Sequence, residues 1–162
     1  MTIIKKKEIF ARDVSELSNE YSVFIDRKAL HKNAIPPYFV YIEDLAWNAF
    51  IQHSSNVYKK VRHEAQGVFV GRYYKDQFGE FVIAFKYEEG SGLSESAYSE
   101  MDETCLAEIS RRCKNEETLM LVHIHSHPGF HSTSDAWYSS TDCRNLKTHF
   151  YKQYHIGIVV DI

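Results

Sequence analysis

The sequence predicts an α+β fold in which a mixed β-sheet is flanked by helices. Three observations lead there. Apolar, β-rich runs alternate with stretches of helical period along most of the chain. Two runs, Gly67–Tyr74 and Phe81–Tyr87, are separated by a short polar segment containing Gly79, as in a hairpin. Other runs are separated by helical segments, so the pattern disfavours a doubly wound, all-parallel sheet. The 162 residues suit one domain with a real core, and the 44% hydrophobic content is that of a globular protein.

Residues 1–36 read as an N-terminal extension. They open with Lys5, Lys6 and Lys7, close at Pro36-Pro37 and hold two weak strand candidates, Ile3-Ile4 and Val23-Phe24-Ile25. The extension either packs on the domain that occupies residues 37–162 or reaches a partner, and packing is the expected role.

Within that domain, Phe39-Val40-Tyr41-Ile42 reads as a strand. Glu43 and Asp44 then precede Leu45, Trp47, Ala49, Phe50 and Ile51, and acids in a first turn signal a helix start. The helix is expected to reach about His63. Gly67–Tyr74 and Phe81–Tyr87 follow as paired strands, and Glu88–Ser96 is polar and expected to be flexible. Met101, Cys105, Ile109 and Cys113 recur every four residues, which predicts a helix over Tyr98–Cys113. Thr118–His127 reads as a buried strand. Ser139–Phe150 is a second such helix, with Cys143, Leu146 and Phe150 on its buried stripe. Ile156–Asp161 is the last strand.

The net charge of −3 argues against nucleic acid or an anionic membrane as the main partner, while leaving a local basic patch open. No apolar run approaches about 18 residues, and no apolar stretch follows the N-terminal lysines, so a cytoplasmic location is expected. The three cysteines, Cys105, Cys113 and Cys143, are too few and too scattered for a disulfide framework. Without a CxxC there is no thiolate zinc knuckle; Cys105 and Cys113 are expected to be small buried hydrophobes.

The strongest chemical signal is His125-Ser126-His127-Pro128. Residues i and i+2 on a strand face the same side, so both imidazoles can reach one metal ion. Pro128 ends the strand there. Asp142, in the first turn of the next helix, is the obvious carboxylate downstream. Two His and one carboxylate leave a fourth position for water, as in catalytic zinc sites. On its own, an HxH pair is more often two satisfied histidines at a strand end.

The wider pattern changes that balance. Glu64-x-x-Gly67-x-x-x-Gly71, then His125-Ser126-His127-Pro128-Gly129-Phe130, then Ser139-x-x-Asp142, resembles the JAMM (MPN-plus, JAB/Mov34/PAD) zinc metalloprotease motif. The likeness runs from about Tyr38 to Ile162. It implies an MPN/JAB domain, a cytidine-deaminase-like mixed sheet with flanking helices. It also implies one Zn2+ per chain, held by His125, His127 and Asp142. Glu64 would be the acid/base outside the metal shell, and Ser139 the hydroxyl beside the activated water. Gly67 and Gly71 would let backbones approach closely in the first hairpin strand.

The activity implied is that of a deubiquitinase-like isopeptidase, cleaving after the C-terminal tail of a ubiquitin-like protein by Glu-assisted attack of zinc-bound water. Some bacterial relatives of this size belong to conjugation systems of antiviral defence. Gly90, Ser91 and Gly92 are expected to clamp the extended tail as an added strand. A processing protease for sulfur-carrier proteins and a non-catalytic MPN scaffold are the alternatives. A zinc deaminase is excluded for want of HxE and PCxxC. Oligomeric state is left open.

The stretch between His127 and Ser139 is longer than the family's usual spacing, which would put Asp135 at the Ser position and Tyr138 at the Asp position. Ser132-x-x-Asp135 is a third register. Ser139-x-x-Asp142 is preferred because a helical stripe begins directly after it, although Ser139 can serve there simply as a helix cap. His123 shares the face of His125 and His127 and is a weaker candidate ligand. His131 is a solvated candidate for substrate contact.

Overall fold

The computed structural model describes residues 12–13, 39–77, 79–94, 99–127 and 139–162. Most of the N-terminal extension, Tyr98 and residues 128–138 lie outside them, and with these the expected strands near Ile3 and Val23, and His131, Ser132 and Asp135.

The elements run β1 (Arg12–Asp13), β2 (Phe39–Ile42), α1 (Asp44–Val61), β3 (Gln66–Asp76), β4 (Gly79–Glu89), β5 (Gly92–Ser94), β6 (Ser99–Met101), α2 (Glu103–Asn115), β7 (Leu119–His127), α3 (Ser140–His149) and β8 (Ile156–Asp161). The main sheet has the order β2-β4-β3-β7-β8, and β1 pairs beside β3. β3 pairs antiparallel with β4 and β7, whereas β2 runs parallel to β4 and β8 parallel to β7. The sheet is therefore mixed, as expected. β1 joins β3 in parallel through Arg12↔Tyr74, which puts this piece of the extension on the domain.

The sheet is covered on both faces because its central strands are apolar on both. On one face Ala46 and Phe50 of α1 pack against Phe69, Val82, Val122 and Ile124. On the other, Leu106, Ile109 and Cys113 of α2, together with Phe150, cover Val68 and Val70. Local features fix the ends. Arg62 stops α1 in a left-handed conformation, its amide donating to the Tyr58 carbonyl. At Gly71 any Cβ would collide with the Ile83 carbonyl of the neighbouring strand, so the close approach expected there is present.

Three expectations are corrected. The helix predicted from Tyr98 begins only at Glu103, because Ser99–Met101 pairs as a strand with Gly92–Ser94 and Asp102 caps the helix, accepting from the Thr104 amide at 2.8 Å. Met101 is thus a strand residue, although it packs with the same cluster as Ile109. The segment Glu88–Ser96 is not simply a loop: β4 extends to Glu89, and Gly92–Ser94 forms β5. Cys143 does not lie on the buried stripe of α3; it is exposed, and Asp142 and Asn145 are buried instead.

Candidate metal centre

Glu64, His125 and His127 are drawn from the α1–β3 connection and the end of β7. The antiparallel pairing of Gln66 with His125 brings these two regions side by side. Ser126, whose side chain points away from the two histidines, ties them together. Its amide donates to the Ala65 carbonyl at 2.8 Å, and its hydroxyl accepts from the Ala65 amide at 3.0 Å.

The Nε2 atoms of His125 and His127 lie 3.2 Å apart. His125 is fully buried; its Nε2 is 3.5 Å from Asp142 Oδ2. His127 is half-exposed, and its Nε2 is 3.8 Å from Glu64 Oε1. One ligand atom from each of Glu64, His125 and His127 falls within 4.8 Å of the others, so these three residues could hold a metal ion. Asp142 stands next to this trio, on the His125 side. Among the described residues, His123 is not in the cluster: its ring packs 5.6 Å from His125 and 5.3 Å from Phe150, behind the site.

The electrostatics suit metal binding. Burial pushes the His125 pKa down to about 4, partly opposed by the Asp142 charge, so at neutral pH the ring is uncharged and keeps a lone pair for a cation. Two imidazoles and nearby carboxylates are a donor set that zinc accepts. Burial raises the pKa of Glu64; hydrogen bonding by Ser99 and the neighbouring His127 oppose that rise, while the Asp142 charge adds to it.

Asp142 is held by a capping box at the start of α3. Its Oδ2 accepts from the Ser139 amide at 2.7 Å and from the Ser139 hydroxyl at 2.6 Å, while the Asp142 amide donates to Ser139 Oγ at 3.2 Å. The hydroxyl proton of Ser139 is thereby directed at Asp142. The helix turns Asp142 inward at the expense of Cys143, the reason for the corrected stripe.

The segment of Gly90, Ser91 and Gly92 is anchored beside the site. The Gly90 amide donates to the Gln66 carbonyl at 2.9 Å, and the Ser91 carbonyl accepts from the Asp102 amide at 2.8 Å. Gly92 takes a φ of +150°, open to glycine alone without strain. Two residues of this neighbourhood carried no sequence signal. Ser126 was legible only as the middle of HSH, and buried Ser99, which influences the Glu64 carboxyl, lies in a hairpin that helical periodicity had hidden.

Among the described residues no helix is long and apolar enough to cross a membrane. No protein-family model matches the chain, and no curated protein matches it in sequence.

Proposed function

We propose that the chain is a zinc-dependent isopeptidase of the JAMM (MPN-plus) type that cleaves after the C-terminal tail of a ubiquitin-like protein. The observation that carries this reading is the pair of imidazole Nε2 atoms 3.2 Å apart at one strand end, with the Asp142 and Glu64 carboxylates beside them. The motif resemblance supplies the substrate class.

His125, His127 and Asp142 would hold the zinc. Glu64 belongs to the most compact cluster and is the competing third ligand. Asp142 is preferred because the two Ser139 hydrogen bonds orient its carboxylate in the way that outer-shell groups orient metal ligands. The raised pKa of Glu64 suits a base. When bound, zinc supplies a Lewis acid for the scissile carbonyl and acidifies water.

Glu64 takes a proton from the attacking water onto its carboxylate and delivers it to the leaving amine nitrogen. Burial keeps that carboxylate away from bulk solvent and makes it a stronger base than an exposed one. Ser139 fixes Asp142; donation to an oxyanion would require its proton to turn from Oδ2 toward the substrate. Gly90, Ser91 and Gly92 lead into β5, whose only strand neighbour among the described residues is β6. The tail would add along β5 in extended form, delivering a bond after a small residue such as Gly.

The test is cleavage of a ubiquitin-like protein ending in Gly, fused through that residue to a short peptide or a lysine amine. Cleavage is expected with zinc, and not with a chelator or with Glu64→Gln. A protein that holds no divalent metal at neutral pH and leaves such fusions intact would overturn the proposal.

A further inference from the structure

The end of β7 remote from the histidines opens onto a second chemical environment. A cavity of about 830 Å³ lies there, with Arg72, Lys114 and Lys152 in its wall beside Tyr73, Tyr151 and Tyr154. That volume is in the range of small-molecule sites. Leu119, which also lines it, is six residues before His125 on the same strand, so those two residues are roughly 20 Å apart.

Its charge is one-sided. Among the described residues of the wall the one carboxylate is Glu117, which Arg12 engages at 3.6 Å. Arg72, Lys114 and Lys152 make no ion pair among the described residues. Lys114 has a structural reason to be there, since it lies in the last turn of α2, where the helix dipole favours a cation. Arg72, on a strand, has no such reason, and Lys152, in the turn before β8, holds its Nζ 4.8 Å from the Tyr151 ring centroid. Arg72 is also incompletely satisfied. Its guanidinium stands 5.6 Å from the Phe85 ring centroid, and its buried Nε meets no hydrogen-bond acceptor. A guanidinium in a cavity wall is a planar donor group that suits an anionic oxygen. The overall charge of −3 is silent about this local surplus.

We propose that this cavity binds a nucleoside phosphate. Arg72 and Lys152 take the phosphate oxygens, the guanidinium as a planar fork and the ammonium as a point charge. The base lies against the tyrosine wall, where Tyr151 is 58% exposed and Lys152 stands over its ring, so the phosphate and base contacts adjoin. Phosphate alone would satisfy the cations and leave the aromatic wall and most of the volume unused.

Isothermal titration of the full chain with ADP, inorganic phosphate and adenosine tests this. ADP is expected to bind with a Kd below about 1 mM, more tightly than phosphate by about tenfold or more, with adenosine weaker than both. Arg72→Gln and Lys152→Gln should each weaken ADP by about tenfold, the loss of one charge-assisted contact. Should Arg72→Gln fail to fold, judged by circular dichroism, Lys152→Gln decides. His127→Ala must leave ADP affinity unchanged, which separates this cavity from phosphate binding at the metal. Absence of ADP binding, phosphate binding as tightly as ADP, or ADP affinity lost with His127 and indifferent to Lys152 would each overturn the proposal.

Discussion

The hydroxyl of Ser126 accepts a hydrogen bond from the Ala65 amide at 3.0 Å, so the residue between the two histidines also holds the residue next to Glu64. The proposed ligand strand and the proposed base are coupled through one side chain. Ser126→Ala would leave the buried Ala65 amide without its acceptor, a loss of about 1–3 kcal/mol. Both histidines remain, so metal content should be unchanged while turnover falls. Denaturation and turnover measured together check this; unchanged values for both would mean that the clamp does not position Glu64.

Glu64→Gln separates base from ligand. Bound zinc is expected to stay and turnover to fall by at least about a hundredfold, a usual general-base contribution. His127→Ala is expected to lose the metal. If Glu64→Gln loses the metal as well, Glu64 is a ligand. Ser99 bears on the same group: its buried hydroxyl favours the charged form of Glu64 against the rise from burial. Ser99→Ala should therefore let that pKa climb, and the acid limb of kcat/KM should move to higher pH.

The register of the third ligand can be read from two variants. Asp142→Ala should lose zinc and Asp135→Ala should keep it. Asp142→Ala also removes half of the capping box, so α3 should weaken by about 1 kcal/mol. Ser139→Ala should show the capping loss while retaining most of the metal. Zinc lost with Asp135 instead of Asp142 would move the site into the stretch before Ser139.

Shortening the chain around Gly90-Ser91-Gly92 should spare zinc and sharply reduce cleavage of a ubiquitin-like fusion. The segment touches the site region through backbone hydrogen bonds and supplies no ligand. Unchanged turnover would discard the clamp, and efficient cleavage of unrelated unfolded peptides would discard the substrate class.

Acid stability follows from His155. Its ring lies between Phe150 and Tyr154, with centroids 5.3 and 4.6 Å away, and its Nδ1 accepts from the Lys152 amide at 3.2 Å. Burial, with a smaller push from the Lys152 charge, lowers its pKa to about 4, against partial opposition from backbone hydrogen bonds. An unfolded chain protonates the same imidazole near about pH 6.5. Its contribution to stability is therefore present above about pH 6.5 and lost as pH falls toward 4. Urea denaturation at about pH 7.5 and about pH 5 should show that loss, and His155→Gln should show a smaller one; equal pH dependence in both proteins would locate the acid sensitivity elsewhere.

Much of the architecture is local information, and the sequence determined it. The apolar runs Phe39–Ile42, Ile156–Asp161 and the one ending at His127, and the acids at the start of α1, specify strands and a helix through burial and period. The i, i+2 spacing alone puts His125 and His127 on one face. Tertiary structure decided what no local period reports. The pairing of Gln66 with His125 sets Glu64 beside His127 across 63 residues of chain, a consequence of sheet register. The rotation of α3 buries Asp142 and exposes Cys143, because a carboxylate held by Ser139 and facing His125 outweighs the burial of one thiol. Ser99–Met101 fits a helical stripe by spacing, yet it pairs with Gly92–Ser94 because the backbone there finds a strand partner before the Asp102 cap can start a helix. Period identifies which residues share a face; only the packed sheet determines which faces meet.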